Sequence, residues 1–530
     1  MRPPAPRANA PRRETIARLQ RLGRAVFLLL LVLSSSAAAQ KDTPGLPGGL
    51  DAYIEKAMQA WEVPGLAIAI VKDDKVIFAG GFGVRERGRP ERVDENTLFA
   101  VASNTKAFTA TALGVLVKEG KIAWDDRAIQ HLPWLQLYDP YVTRELTVRD
   151  MLTHRSGYST WSGDLIWYGS DLKRDEVLQR VKYLKPATSF RSRYGYSNLM
   201  FLAAGEIIPK VTGVSWDDFV KQRLLIPLGM SRTNTSVRDL QQAGNVATPH
   251  TKVDGKVTPI PYRNVDNVAP AGAINSSVAD WTRWMRMQLG NGMFEGRQIV
   301  DPDVIRETRS PQTLLEIGPT MRKLFPSTHF YAYGLGWFLR DYHGRLLVMH
   351  DGGMDGMLSQ TILVPEEKLG VVVFTNYDRQ RLFAALALKI VDHYLGASES
   401  DWSAIYLDLE RQDEKRSAAE DRAASTPVQG TRPSLSLAQY AGTYRNDMLG
   451  TAIVAESEGR LRLDIKGHAG LTGDLSHWHY DTFQAVWADK FFEKSLVTFI
   501  LNGKGQVEEF RVKVREDFVD PLEYTFKRAP

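Results

Sequence analysis

Short apolar runs at residues 66–71 and 75–79 near the start of the chain, and at 345–349, 358–364 and 369–375 much later, bracket a long stretch whose apolar spacing is mostly helical. The first two runs flank Lys72-Asp73-Asp74, a polar turn that favours a hairpin. Strands so far apart in sequence share a sheet only if the intervening chain folds over it. The expected class is therefore α+β: one antiparallel sheet flanked by helices, with an inserted mostly helical region. Helices are expected at 104–119, 175–183, 198–210, 278–289 and, after the last strand, Leu382 to Leu395.

Residues 40–398 make up this first body. From 399 to 433 the chain turns charged and alanine-rich, with Glu410-Arg411-Gln412-Asp413-Glu414-Lys415-Arg416 ending in Ser425-Thr426-Pro427 and Arg432-Pro433, which reads as a partly helical linker. Beyond it Leu461, Leu463 and Ile465 alternate with Arg462 and Asp464, and Phe510, Val512 and Val514 alternate with Arg511 and Lys513. Period two with turns such as Asn502-Gly503-Lys504-Gly505 predicts a small all-β domain over 434–530. The chain has no cysteine, which excludes disulfides, thiolate metal sites, iron–sulfur clusters and a cysteine nucleophile.

The net charge of +5 is local. Residues 1–39 hold seven arginines and one acid, Glu14, and the remainder carries 60 basic against 61 acidic residues. A nucleic-acid partner is not implied. After Arg24 come nine apolar residues, Ala25 to Leu33, then Ser34-Ser35-Ser36 and Ala37-Ala38-Ala39. A basic start, a short apolar centre and a small-residue site describe a signal peptide over 1–39, with cleavage expected after Ala39. The run is too short for a membrane span, which needs roughly 17–25 apolar residues. Export without cysteine suits a bacterial periplasm or secretion better than a disulfide-dependent route.

Signatures of a Gly-x-Ser-x-Gly elbow, a phosphate loop and an HExxH zinc helix are all missing from the chain. Ser-x-x-Lys occurs twice, at Ser103–Lys106 and Ser170–Lys173. The second copy precedes a charged amphipathic helix, where serine or aspartate serves as an N-cap. The first opens a helix that is apolar on most faces (Ala107, Phe108, Ala110, Ala112, Leu113, Val115, Leu116, Val117), and such a helix is buried. One turn apart, Ser103 and Lys106 fall on one face, so the amine can contact the hydroxyl that needs a base. Tyr194-Gly195-Tyr196-Ser197-Asn198, ahead of another apolar helix, offers a phenol and an amide. His350-Asp351-Gly352-Gly353 follows the strand 345–349, with glycines where a ligand or another backbone comes close.

Taken in order, Ser103-x-x-Lys106, Tyr196-x-Asn198 and His350-x-Gly352 resemble the three active-site motifs of the serine β-lactamase and penicillin-binding superfamily, specifically the class C-like branch with D-aminopeptidases, DD-carboxypeptidases and esterases. Pro64-Gly65-Leu66, Leu146 to Gly157 and Pro270-Ala271-Gly272-Ala273 look like the same branch, and 434–530 resembles its appended lipocalin-like barrel.

The resemblance implies that Ser103 is the nucleophile, that Lys106 assists its deprotonation, and that Tyr196 is the general base and later proton donor. Asn198, His350 and Gly352 would meet substrate, and the N–H groups of Ser103 and Gly353 would form the oxyanion hole. No metal or cofactor is implied; the partner is a small molecule or short peptide. His350 departs from the lysine usual at that position, so recognition of a β-lactam carboxylate is weakened and small amides or esters become the expected substrates. Two rivals are a silent cell-envelope binding protein on the same fold and a Ser103–His350–Asp351 triad.

Overall fold

Residues 43, 45–397, 400–424, 426–514 and 519–530 are described by a computed structural model of the protein. The expected leader, 1–39, lies outside the described residues. Within the short unit ending at Ala52, Asp51 accepts hydrogen bonds from the Thr43 N–H and hydroxyl at 3.1 and 3.2 Å. All elements named below belong to the unit Tyr53–Pro530. Among the described residues, no helix is long and apolar enough to cross a membrane.

Both groups of apolar runs meet in one sheet. Its strands are β1 (Gly65–Lys72), β2 (Lys75–Gly83), β3 (Thr313–Leu314), β4 (Tyr331–Tyr333), β5 (Phe338–Tyr342), β6 (Arg345–Met354), β7 (Met357–Val364) and β8 (Leu369–Thr375). They lie in the order β2-β1-β8-β7-β6-β5-β4-β3, and the pairing is antiparallel throughout. The two ends of the body meet at its centre, where Leu66 pairs with Thr375 and Ile70 with Val371.

Four helices explain why the central runs are apolar without alternation: α1 (Thr105–Lys118), α2 (Asn198–Thr212), α3 (Val278–Leu289) and α4 (Leu382–Leu395). Helix α3 packs on β1 and β8, and α4 on β8 and β7, so β8 is buried along its whole length. A strand covered on both faces has no solvent side to carry polar residues. Helix α1 is buried from Thr105 to Leu116, with Phe108 stacked on Trp284 at 3.7 Å between ring centroids.

Two stretches hold elements whose extent the sequence pattern does not mark. The segment 312–333, where the apolar spacing marks no strand or helix, contributes β3 and part of the sheet edge in β4, because strands of two or three residues are too short to show a period. The expected linker holds a continuous helix, α5 (Trp402–Ala424). Its charged face masks the pattern, while buried Trp402 donates to Asp392 at 2.6 Å and Arg381 pairs with Glu410 and Asp413 at 2.7 and 2.8 Å.

The C-terminal strands Gly442–Asn446, Gly450–Ser457, Arg460–Ile465, Thr472–His479, Thr482–Trp487, Lys494–Leu501, Val507–Lys513 and β16 (Glu523–Arg528) close into an eight-stranded barrel, which numbers them β9 to β16. Leu461, Leu463, Phe510 and Val512 point into it, as the alternation predicts. Arg263 fastens barrel to body: its guanidinium pairs with Asp355 at 2.8 Å and with Asp489 of the barrel at 2.6 Å, lying over Tyr168, Phe491 and Phe492.

Asp355, only 2% exposed, also accepts the Tyr168 hydroxyl. Arg263→Ala strips the cation from this buried carboxylate, and urea unfolding of the full chain should register a loss of about 3–5 kcal/mol.

Candidate active site

The chain enters the site through a one-turn helix, Ala102–Asn104, that runs directly into α1. Ala102 sits at φ +46°, a left-handed conformation that costs a non-glycine residue ~1–3 kcal/mol. Ser103 therefore stands on a strained turn ahead of the α-helix, rather than within its first turn. Strand β6 presses against that turn. A Cβ placed on Gly352 would lie 2.2 Å from the Val101 carbonyl oxygen and 3.1 Å from the Ser103 nitrogen, which explains the glycine.

Lys106 is fully buried. Its Nζ donates to Ser103 Oγ at 3.1 Å, to Asn198 Oδ1 at 2.7 Å and to the Ala271 carbonyl at 2.8 Å. Burial pushes its pKa down to about 7, against the opposing pull of Asp164 and Asp351.

Tyr196 arrives on a loop fixed by a second close approach. A Cβ on Gly195 would fall 1.7 Å from the Tyr158 carbonyl oxygen, and the Gly195 N–H donates to His154 O at 2.8 Å. The Tyr196 hydroxyl hydrogen-bonds Ser103, and the Lys106 amine lies 4.7 Å from the centre of its ring. Burial holds the phenol well above its ordinary value, the Ser103 hydrogen bond opposing it. Ser197 caps α2, so Asn198 opens that helix with both amide atoms engaged: Oδ1 by Lys106, and Nδ2 donating to Asp164 Oδ2 at 2.6 Å.

The structure thus brings Ser103, Lys106, Tyr196 and Asn198 together. They line or underlie a cleft of about 380 Å³, with Gly352 and Gly353 also in its lining. The pairing of β5 with β6 ends at Phe338 and Met349, so β6 beyond that point has no strand on that side.

His350 does not face substrate. It is 1% exposed, its Nδ1–H donates to the Asp351 carbonyl at 2.6 Å, and its Nε2 accepts the Tyr333 hydroxyl at 3.0 Å. Burial lowers its pKa to about 3, with Lys106 adding to the effect, so it supplies no cation. The Ser103–His350–Asp351 triad falls with it, because neither ring nitrogen is bonded to Ser103. At the second Ser-x-x-Lys, the N-cap is Lys173 rather than Ser170 or Asp171, and the Ser170 hydroxyl closes on the Trp167 carbonyl at 3.1 Å.

Two residues of the site, His154 and Asp164, are given no role by the sequence, and Asp351 is weighed only as a triad member. His154, at φ +54°, stacks on Tyr196 with 4.2 Å between centroids and accepts the Ser197 N–H at 3.0 Å. Burial, then the Lys106 charge, holds it neutral. Asp351 projects into the cleft with its side chain 60% exposed. Asp164, a lone acid opening the one-turn helix Asp164–Ile166 with no motif to mark it, is buried and accepts the Asn198 amide.

This fold and site belong to a recognisable class, and comparison identifies it. Residues 50–394 match the beta-lactamase family, to which this chain belongs, and residues 426–528 match a domain of unknown function, DUF3471. The chain is 28% identical over 459 residues to an unguisins hydrolase of Aspergillus violaceofuscus, spanning 80% of each protein. Protein flp of Staphylococcus aureus is 27% identical over 358 residues, 65% of this chain and 66% of its own length. Among solved structures, an octameric penicillin-binding protein homologue from Pyrococcus abyssi superposes with a TM-score of 0.60 at 22% identity, over 91% of this chain and 99% of its own. A D-stereospecific amidohydrolase from Streptomyces gives 0.50 at 23% identity, over 62% and 94%. Family and named relatives support hydrolase activity.

Gly352→Ala drives β6 off the Ser103 turn. Stopped-flow acylation should slow by about 100-fold, the cost of an ångström of misplacement, with the fold retained by circular dichroism.

Proposed function

We propose that the protein is an exported serine hydrolase that cleaves small amides or esters through an acyl-enzyme on Ser103. The observation that carries this reading is the set of partners around the Lys106 amine. Asn198 Oδ1 and the Ala271 carbonyl are fixed acceptors for two of its N–H groups. When the amine is neutral its lone pair is left facing Ser103 Oγ, ready to take the hydroxyl proton. Lys106 is thus the better base, while Tyr196, whose phenolate is strongly disfavoured, relays a proton to the leaving group as a neutral phenol. The oxyanion would rest on the Ser103 and Gly353 N–H groups. Export rests on the basic-apolar-small leader and favours the periplasm or the medium.

Substrate preference follows from the walls. Among the described residues that line the cleft there is no lysine or arginine, whereas Trp161, Trp167, Tyr194, Phe338 and Met354 are apolar or aromatic and Asp351 is exposed. Such a cleft favours an apolar acyl group, neutral or amine-bearing, and repels a carboxylate.

Ser103→Ala should abolish turnover of p-nitrophenyl esters; residual turnover with native folding refutes the nucleophile. Because the reactive amine is neutral and its pKa is depressed, acylation of the native enzyme should rise with pH through about 7 and then level. A flat profile from pH 5 to 9 refutes the base. Asp351→Asn should raise the rate of acylation by carboxylate-bearing β-lactams about tenfold, equivalent to ~1.4 kcal/mol, when both are measured on the alkaline plateau, where Lys106 is neutral with or without Asp351 and neutral esters should be unaffected.

A further inference from the structure

The barrel does not stop at the surface of the body. Val519, just ahead of β16, is part of the cleft wall. The next residue, Asp520, is fully buried. Its Oδ2 accepts the backbone N–H of Leu165, the neighbour of Asp164, at 3.0 Å and the Tyr524 hydroxyl at 2.6 Å, and its Oδ1 accepts the Leu522 N–H at 3.0 Å. Among the described residues it has no cation within salt-bridge distance. Asp164 in turn accepts Trp167 Nε1 at 2.8 Å and Asn198 Nδ2 at 2.6 Å, and Asn198 holds Lys106. A carboxyl from the barrel therefore stands behind a carboxyl, an amide and an amine in series, ending at the nucleophile.

We propose that the C-terminal barrel is a working part of the active site, with Asp520 a positioning residue whose buried carboxyl, seated behind Asp164, acts through Asp164 and Asn198 on the amine of Lys106. This rests on Lys106 as the base.

The electrostatics run the same way. Asp520 is raised to about 6, chiefly by burial, and is ionised above that pH. Asp164 is pushed up to about 8, first by burial and further by the Asp520 charge. A neutral Asp164 no longer stabilises the ammonium form of Lys106, so the amine deprotonates more easily. The titratable groups facing this chain are Tyr524 beside both carboxyls, and Asp351, Tyr196, His154 and His350 around Lys106. Both histidines are held neutral and both phenols protonated, so the two buried carboxyls and the exposed Asp351 are the charges that vary.

The test is the pH profile of Ser103 labelling by a fluorophosphonate in the full-length protein. In Asp520→Asn, Asp164 ionises at lower pH, Lys106 keeps its proton longer, and the rising limb should move up by about half to one pH unit. On the acid side that is about a three- to tenfold slower reaction at a fixed pH, with the alkaline plateau unchanged. Asp164→Asn should move the limb the other way, and adding Asp520→Asn to it should produce no further shift.

If Asp520→Asn does not fold, Tyr524→Phe, which removes one donor to Asp520, should give a smaller shift of the same sign. A limb unmoved in the variants, a pH-independent loss of rate, or additive shifts in the double variant overturns the proposal. Absence of the limb in the native protein overturns instead the assignment of Lys106 as base.

Discussion

The burial of one amine organises this site. A lysine nitrogen with no exposure to water loses hydration worth several kcal/mol, and it persists there only where neighbouring groups replace that water or where it sheds its proton. Lys106 has both. Its three acceptors come from three places in the chain: the strained turn before α1, the first residue of α2, and the carbonyl of Ala271. None of the three segments can move without leaving a buried polar group unpaired, so the strain at Ala102 and the tight passages at Gly195 and Gly352 are held in place by the same requirement. Depressed basicity and rigid geometry are two consequences of a single burial.

That burial also shapes what surrounds it. His350 and His154 are both kept neutral, first by desolvation and then by the amine itself. No lysine or arginine is among the described residues of the walls, and Asp351 projects between them, so the described cleft carries negative charge where a carboxylate-recognising site would carry positive. The aromatic panels of Trp161, Trp167 and Tyr194 leave apolar contact as the main source of affinity. On the proposed function, selectivity would come from the missing counter-charge as much as from shape.

The barrel extends the same logic across the chain. Arg263 spans Asp355 and Asp489, and Asp520 reaches the backbone next to Asp164 although 355 positions separate it from Leu165. A carboxyl buried at such an interface with no cation beside it among the described residues is costly, and its cost makes sense where its charge acts on a neighbour.

Much was legible without coordinates. Continuous apolar runs mark strands covered on both faces, period two marks the barrel, and a lysine one turn inside an apolar helix marks a functional burial, because each is a short-range pattern written in consecutive residues. The short strands β3 and β4, the charged helix α5 and the burial of His350 left no such trace. The partners of a side chain are equally unwritten: that Asn198 joins Lys106 to Asp164, that His350 turns toward Tyr333, and that a carboxyl just ahead of the last strand reaches the backbone beside Asp164 all depend on where remote segments come to rest. Local periodicity survives in a linear chain; charge state and contact do not, since desolvation and Coulomb forces act through space and are set only when distant residues are packed side by side.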